Sequence, residues 1–109
     1  MRNANAILAG ALLLALPGCS KGLAGAYVCT GMPDINSLTL ESDGSYTSTG
    51  SISGHATPGA GKYTSNAQQV TIEGTFRVEG LTIVEPTKVI FDRRGNGELK
   101  SLLTTCRKR

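Results

Sequence analysis

Apolar and polar side chains alternate in several segments of the chain after residue 24. The segments 37–41 and 69–73 place apolar residues at every second position, and the segment 25–30 is predicted to be a strand with Tyr27 and Cys29 on one face. Successive side chains of a strand point to opposite faces, so this pattern predicts strands with one covered face. No later segment repeats its apolar residues at the spacing of a capped helix. The pattern therefore predicts an all-β fold, an antiparallel meander of about eight short strands that closes or nearly closes into a small barrel.

Glycine and proline divide the predicted strands. Asp43-Gly44 predicts a hairpin between the segments 37–41 and 45–52, because this pair suits tight two-strand turns. Gly74, Gly80, Pro86 and the run 95–97 are predicted as further turns or bends. They would leave separate short strands at 69–73, 75–79, 81–85, 88–92 and 98–103.

The segment 54–61 is rich in glycine and contains Pro58, and it is predicted to be the longest irregular loop. His55 lies within this segment, and Lys62 and Tyr63 follow it directly. These three residues form the candidate partner-binding loop. The alternatives are that His55 is an ordinary surface histidine and that Lys62 is plain strand surface.

The amino-terminal segment has a different pattern. Met1-Arg2-Asn3 carries one positive charge, and the run 4–16 is almost free of polar groups. This run is shorter than the roughly 20 residues of a membrane-spanning helix. Residues 1–18 are therefore predicted to form a secretory signal peptide, helical in its apolar part, ahead of the barrel domain.

The signal segment ends at Leu16-Pro17-Gly18-Cys19. These residues resemble the bacterial lipobox, in which a cysteine after a small residue receives lipid and becomes the first residue of the mature protein. The resemblance implies a lipid on Cys19, a tether over 19–24 and a barrel-like domain over 25–109. Because Ser20 rather than Asp follows the cysteine, the expected address is the outer membrane, on its periplasmic face. The alternatives are an ordinary cysteine in a plain signal peptide and an interior helix over 4–16.

Composition limits the domain and its partners. The chain has 109 residues, 5% aromatic residues and no Trp, so the core is small and its burial alone stabilises the fold only marginally. The formal charge of +3 includes Arg2 of the signal segment. Nucleic-acid binding is therefore not expected. The basic run 107–109 is predicted to be a solvated terminus, with contact to anionic lipid or another polyanion as the alternative.

Cysteine usage predicts one disulfide. The chain has 3 Cys, and lipidation would use Cys19, which leaves Cys29 and Cys106. Export places this pair where disulfides persist, and closing so long a loop contributes roughly 4 kcal/mol. A structural bridge is favoured over two reactive thiols. His55 does not complete a zinc site with cysteines so far apart, so neither a metal nor another cofactor is predicted.

A weak internal sequence repeat is the basis of a family resemblance. Gly25-Ala26-Tyr27 leads to the strand segment 38–40, and Gly61-Lys62-Tyr63 leads to 70–72. With the segment 38–46 between them, residues 25–72 are similar to small bacterial lipoproteins that have lipocalin-like or copper-stress-lipoprotein-like barrels. The copper-stress group carries a C-x-x-C after its first strand, whereas only Cys29 stands there in this chain. The proposed metal and signalling roles of that group are therefore not carried over.

A second resemblance concerns activity. Lipid-anchored inhibitors of c-type lysozyme are small disulfide-containing barrels with an early Tyr-x-Cys, similar to Tyr27-Val28-Cys29 here. Their recognition loop has Ser-Gly, two further positions and Tyr, and the nearest match is the segment 59–63, with Gly59 in place of the serine. The resemblance would give Lys62 the role of presenting a cation to an acidic enzyme cleft.

Catalysis has no support in the sequence. The carboxylates fall mostly at predicted turns or outward strand positions, and no serine lies in a G-x-S-x-G elbow. The sequence therefore favours a lipid-anchored, non-catalytic interaction or structural module of the envelope with a protein partner. Inhibition of an external hydrolase such as c-type lysozyme is the alternative, and carriage of a small apolar ligand inside the barrel is a further one.

Overall fold

The structure, a computed structural model, describes residues 22–109. The predicted signal peptide and the predicted lipid site Cys19 lie outside these residues. The described part of the chain forms ten β-strands: β1 Gly25–Thr30, β2 Ser37–Leu40, β3 Ser45–Thr49, β4 Ser51–Ile52, β5 His55–Ala56, β6 Gly59–Ser65, β7 Gln69–Val78, β8 Ile83–Arg93, β9 Glu98–Lys100 and β10 Thr105–Lys108.

Eight of these strands form a closed barrel in the order β1-β2-β3-β6-β7-β8-β9-β10, with β10 pairing back to β1. All of the pairs are antiparallel, so the predicted closed meander is confirmed. The closing strand, however, was not predicted. The basic run 107–109 was expected to be a solvated terminus, but Arg107 and Lys108 belong to β10 and pair with β1. Their side chains nevertheless remain exposed, and Cys106 is the residue of this strand that is buried in the core.

The barrel interior is filled by the covered faces of the strands. Tyr27, Tyr46 and Phe91 are almost fully buried. Tyr27 and Cys29 are buried on the same face of β1, as the sequence pattern predicted. The rest of the core consists mainly of aliphatic side chains and the two cysteines: Leu23, Cys29, Ile35, Leu38, Leu40, Tyr63, Val70, Ile72, Leu99 and Cys106. Side chains therefore occupy the space in which an apolar ligand would have to lie.

Two predicted breaks lie inside long strands. Gly74 pairs with Gly61 on one side and Thr87 on the other, and Pro86 pairs with Thr75. A Cβ at Gly74 would overlap the carbonyl oxygen of Ala60, so glycine here permits close approach of two backbones rather than a turn. Segments 69–73 and 75–79 are consequently parts of β7, and segments 81–85 and 88–92 largely merge in β8.

The segment 54–61 is more regular than predicted. Ser51–Ile52 and His55–Ala56 form a small hairpin, and β6 already begins at Gly59. The connection Ser53-Gly54 has φ of 51° and 81°, the conformation of tight hairpin turns whose twist matches the strands. The prediction of an irregular loop over 54–61 was therefore wrong, because glycine served a hairpin turn and close strand packing.

The two ends of the barrel carry different segments. The chain enters at Gly25, which pairs with Leu40, and the turns 41–44, 66–68 and 94–97 lie at this proximal end. The antiparallel order places the remaining connections at the opposite, distal end: 31–36, 50–58, 79–82 and 101–104. Any surface at the distal end thus faces away from the point where the amino-terminal segment joins the barrel.

Candidate interaction surface

The β7–β8 hairpin extends past its neighbours at the distal end. β7 and β8 are paired from Gln69–Asp92 to Val78–Ile83. β6 pairs with β7 only as far as Phe76, and β9 pairs with β8 only at Asp92 and Arg93. The outer half of this hairpin therefore extends past the closed part of the barrel, and most of its side chains meet solvent, although Val78 is buried.

Large apolar side chains are exposed in this region. Val84 is 63% exposed, and Leu81 and Ile83 beside it are also exposed. We call Leu81, Ile83 and Val84 the hairpin tip. An open groove of about 560 Å³ runs along the tip and is lined by the continuous segment 77–84.

The β4–β5 hairpin supports one side of the tip. The Glu79 N–H donates to the Ala56 carbonyl oxygen at 2.8 Å, and the Arg77 N–H donates to the Pro58 carbonyl oxygen at 3.0 Å. The His55 Nδ1 lies 2.9 Å from the Glu79 carbonyl oxygen. These bonds continue along the edge of β7 beyond the end of its pairing with β6, as far as the turn. They therefore hold the hairpin tip in place.

A second, smaller groove lies between β8 and the β9–β10 connection. Its volume is about 240 Å³, and its walls are the β8 segment 88–90, Met32 of the β1–β2 connection and the connection residues Ser101, Leu102 and Leu103. Leu102 is 96% exposed. We call this groove, with Ile90, Leu102 and Leu103 at its rim, the side groove.

Hydrogen bonds hold the two leucines in place. The Ser101 N–H donates to the Thr104 carbonyl oxygen at 2.8 Å, and the Thr104 N–H donates to Ser101 Oγ at 3.1 Å. The Thr104 hydroxyl donates to the Thr30 carbonyl oxygen at 2.7 Å, which ties the connection to β1. Both ends of the turn are fixed, so exposure of Leu102 and Leu103 is built into the fold.

The structure does not bring the three residues of the candidate partner-binding loop together. His55 lies on β5 at the distal end, whereas Lys62 and Tyr63 lie inside β6 near the proximal end, where Lys62 pairs with Ser45. Tyr63 is buried, and its hydroxyl donates to the Glu41 carbonyl oxygen at 2.6 Å. The segment 59–63 is a strand of the barrel wall and not a loop.

The predicted disulfide is present. Cys29 and Cys106 form the bridge between β1 and β10, and both are buried in the core. The bridge spans 77 positions of the sequence and lies in the closing pair of the barrel. Cys29 and Cys106 are therefore structural residues of the closure.

Perturbed titratable groups lie at buried or turn positions. Burial raises the pKa of the Tyr27, Tyr46 and Tyr63 hydroxyls above the usual tyrosine value. Hydrogen bonds from the Ser45 hydroxyl and N–H lower the pKa of Asp43 in the β2–β3 turn. Each of these shifts is explained by the packing of the barrel or of a turn.

Within residues 22–109, no group of three His, Cys, Asp or Glu side chains is arranged to hold a metal ion. The same residues contain no helix long and apolar enough to span a membrane.

Sequence reasoning missed the apolar residues of the distal end. Ile83-Val84 and Leu102-Leu103 lie in segments that the sequence pattern predicts as strands, with no indication that they are exposed. An adjacent apolar pair breaks the alternation of a strand with one solvated face, and this break was the available signal. Comparison with protein-family models, curated proteins and solved structures finds no match for this chain.

Proposed function

We propose that the protein is a lipid-anchored, non-catalytic interaction module of the bacterial envelope that presents the distal end of its barrel to a protein partner. The observation that carries this proposal is the position of its exposed apolar residues. The hairpin tip and the side groove lie at the end opposite Gly25, where the amino-terminal segment joins the barrel. A barrel tethered through Cys19 would hold these surfaces away from the membrane.

Exposed apolar residues in clusters favour a binding role. Single exposed apolar side chains are ordinary on protein surfaces, whereas contiguous patches commonly mark interaction sites. Here the leucines of the side groove are held outward by the Ser101–Thr104 hydrogen bonds and do not fold back onto the barrel. Loops fixed on a rigid scaffold are a common way of presenting such a surface.

Both basic and acidic side chains lie at the proximal end: Arg107 pairs with Glu98 at 2.8 Å, and Glu41 and Asp43 are exposed in the turn 41–44. The exposed side chains of Arg94, Arg107 and Lys108 lie at this end, and Lys108 Nζ donates to the Gly22 carbonyl oxygen beside the tether. Basic residues near an anionic membrane surface contribute about 1 kcal/mol each at most, and they are not an anchor by themselves. They would act in addition to the outer-membrane lipid proposed on Cys19.

The anchor is tested by labelling cells with a fatty acid. The native chain should carry the label and fractionate with the outer membrane, and Cys19→Ser should lose the label and accumulate as unprocessed or soluble precursor. The control is Cys29→Ser, which should retain the label because Cys29 belongs to the barrel. Label that persists in Cys19→Ser would contradict the proposed lipid site.

The interaction surface is tested by photo-crosslinking in intact cells. A photoreactive residue replaces Leu102 at the distal end or, as the control, Ala67 in the exposed turn at the proximal end. A discrete crosslinked species should form from position 102 and not from position 67. Equal crosslinking at the two positions, or none at either, would contradict an interaction surface at the distal end.

A further inference from the structure

Charged side chains are distributed unevenly around the barrel. Residues 92–109, which form the end of β8, the turn 94–97, β9 and β10, carry six basic and two acidic side chains. Residues 22–91 carry three basic and six acidic side chains. In the described part of the chain, the basic excess therefore belongs to one wall of the barrel, formed by the end of β8 with β9 and β10.

Two charged turns of the proximal end lie on opposite sides of the barrel. The β2–β3 turn carries Glu41 and Asp43, and the β8–β9 turn carries Arg94. In the closed strand order, four strands separate these two turns in either direction. Adjacent strands lie about 4.8 Å apart, so opposite points on a ring of eight strands are roughly 12 Å or more apart. The proximal end thus has an acidic side and, across the barrel from it, a basic side.

Four exposed basic residues form the basic side, and we call them the basic rim: Arg94, Arg107, Lys108 and Arg109. The Arg107 Nε donates to the Glu98 carboxylate at 2.8 Å, but the Arg107 side chain is 79% exposed, so its other N–H groups remain accessible. The Arg109 N–H donates to the Ala26 carbonyl oxygen at 2.9 Å. The backbone of the rim is therefore held against β1 as far as the last residue.

An open polar groove of about 480 Å³ adjoins the basic rim. Arg94 and Arg107 lie on its walls, and Lys100 lies on the wall farther from the proximal end. Two carboxylates face these cations: Glu98 bonds to Arg107, and Asp92 lies opposite Lys100 in the sheet. Three cations against two carboxylates leave the groove with a net positive charge.

The proposed lipid site limits how far the basic rim can be from a membrane. The Lys108 Nζ donates to the Gly22 carbonyl oxygen, which joins the rim to the point where the amino-terminal segment meets the barrel. The chain from Cys19 to Gly22 spans at most about 11 Å when fully extended. A lipid on Cys19 therefore keeps the rim at a distance from the membrane surface comparable with the Debye length, about 8 Å at physiological ionic strength. Charges at this distance from an anionic surface are only partly screened.

We propose that the basic rim binds the phosphate headgroups of anionic lipids in the membrane that holds the anchor, and that this contact turns the β8–β9 turn toward the membrane and the β2–β3 turn away from it. This inference rests on the lipid proposed at Cys19 and adds an electrostatic contact that orients the barrel about its tether. Guanidinium groups recognise phosphate through several N–H donors, and the anionic surface repels Glu41 and Asp43 on the opposite side. Because the contact lies at the proximal end, the hairpin tip and the side groove remain at the other end for the protein partner.

Quenching of a fluorescent label by headgroup-labelled lipid measures this orientation. The lipidated chain, purified from cells, is reconstituted in vesicles of phosphatidylglycerol and phosphatidylcholine that contain a lipid with a nitroxide quencher on its headgroup. Gly95→Cys carries the label on the basic side, and Ser42→Cys is the matched control in the opposite turn, since both positions are exposed. Cys29 and Cys106 are bonded to each other, so they do not take the label.

The two labels should differ only on an anionic surface. On the anionic vesicles, the label at position 95 should be quenched at least about twofold more than the label at position 42, because the two turns lie roughly 12 Å apart and one of them faces the headgroups. The difference should disappear on vesicles of phosphatidylcholine alone. It should also disappear in about 1 M salt, where the Debye length falls to about 3 Å.

A pair of charge-removing variants tests the basic rim itself. Arg94→Gln removes one charge from the rim, and Lys62→Gln is the control, since Lys62 is exposed on β6, outside the basic wall. One basic group near an anionic surface changes a binding preference about fivefold. Arg94→Gln should therefore lower the salt concentration at which half of the quenching difference is lost, whereas Lys62→Gln should not lower it. Unchanged melting of both variants would show that the barrel is folded.

Each outcome decides the inference. Equal quenching at positions 95 and 42 on anionic vesicles overturns the headgroup contact, while a chain that still carries the fatty-acid label keeps the proposed anchor. A difference that persists on phosphatidylcholine alone also overturns it, because the orientation would then not depend on headgroup charge. Equal quenching together with binding of soluble polyphosphate to the rim would assign these residues to another class of partner. A chain without the fatty-acid label removes the anchor and this inference with it.

Discussion

Cys29 lies directly opposite Cys106 in the strand pair that closes the barrel, with their Cα atoms 4.0 Å apart. β10 contributes only four residues to the sheet, and only one of them is fully buried. The covalent bond therefore supplements a short closing strand with few apolar contacts of its own. It also fixes the register of the last strand against the first.

Loss of this bond should destabilise the barrel strongly. Closing a loop of this length contributes roughly 4 kcal/mol in the chain-entropy estimate, a large part of the stability of a domain this small. We expect a large drop in melting temperature for Cys29→Ser and for the native chain in reductant. The double variant Cys29→Ser/Cys106→Ser is the control and should not respond to reductant. Equal melting of the native chain with and without reductant would contradict the role of the bridge.

The three tyrosines should respond differently to loss of their hydroxyls. The Tyr27 hydroxyl donates to the Leu23 carbonyl oxygen at 2.7 Å, and the Tyr63 hydroxyl donates to the Glu41 carbonyl oxygen. The Tyr46 hydroxyl is buried, and no described residue meets it with the geometry of a hydrogen bond; the Thr87 side chain beside it only partly offsets the rise of its pKa that burial causes. Tyr27→Phe and Tyr63→Phe should each cost about 1 kcal/mol, whereas Tyr46→Phe should be neutral or stabilising.

Denaturant unfolding of the three variants measures these differences in the free energy of unfolding. All three substitutions remove the same atom from a tyrosine in the core, so the comparison isolates the hydrogen bond. A cost for Tyr46→Phe as large as that of the other two would show that its hydroxyl is satisfied in solution.

Stability should fall at alkaline pH. Burial raises the pKa of Tyr27, Tyr46 and Tyr63 in the folded chain, while the unfolded chain keeps a tyrosine pKa of about 10. A raised native pKa means that the folded state holds its protons more tightly. Its stability is therefore fully present below about pH 10 and is lost as the pH rises through the native pKa values.

Absorbance of the tyrosinate ion measures this directly, because the chain has only these 3 Tyr. The native chain should titrate at higher pH than the denatured chain, and the free energy of unfolding should decline over the same interval. Coincident titration curves for the native and denatured chains would contradict the burial of these hydroxyls.

Two glycines of one turn provide a matched pair. Gly97 has φ of 82° and ends the β8–β9 turn, whereas Gly95 in the same turn is not held in the left-handed region. A Cβ at either position meets no atom within 4 Å, so the two differ in backbone conformation and not in packing. Gly97→Ala should cost about 1–2 kcal/mol of unfolding free energy, and Gly95→Ala should cost little or none. Thermal melts of the two variants check this, and equal melting temperatures would contradict it.

The sequence by itself determined the features that depend on local pattern. Alternation placed Tyr27 and Cys29 on one face, because neighbouring side chains of any strand point apart. Asp43-Gly44 determined a turn, since Gly44 adopts the positive φ of 93° and Asp43 accepts the Ser45 N–H. Cysteine count and the predicted export indicated the Cys29–Cys106 bridge. Each of these inferences needed only the residues themselves and general rules of strand, turn and thiol chemistry.

Only the tertiary structure decided which faces and edges stay uncovered. Alternation identifies the apolar face of β8, but whether that face is buried depends on the lengths of β6 and β9 beside it. The same holds for glycine and proline. Gly74 and Pro86 look like breaks in the sequence, yet one lies at a close approach of two strands and the other on an open edge. Long-range pairing sets these environments, so the open edge of β8 and the exposed leucines could not be predicted from the residues around them.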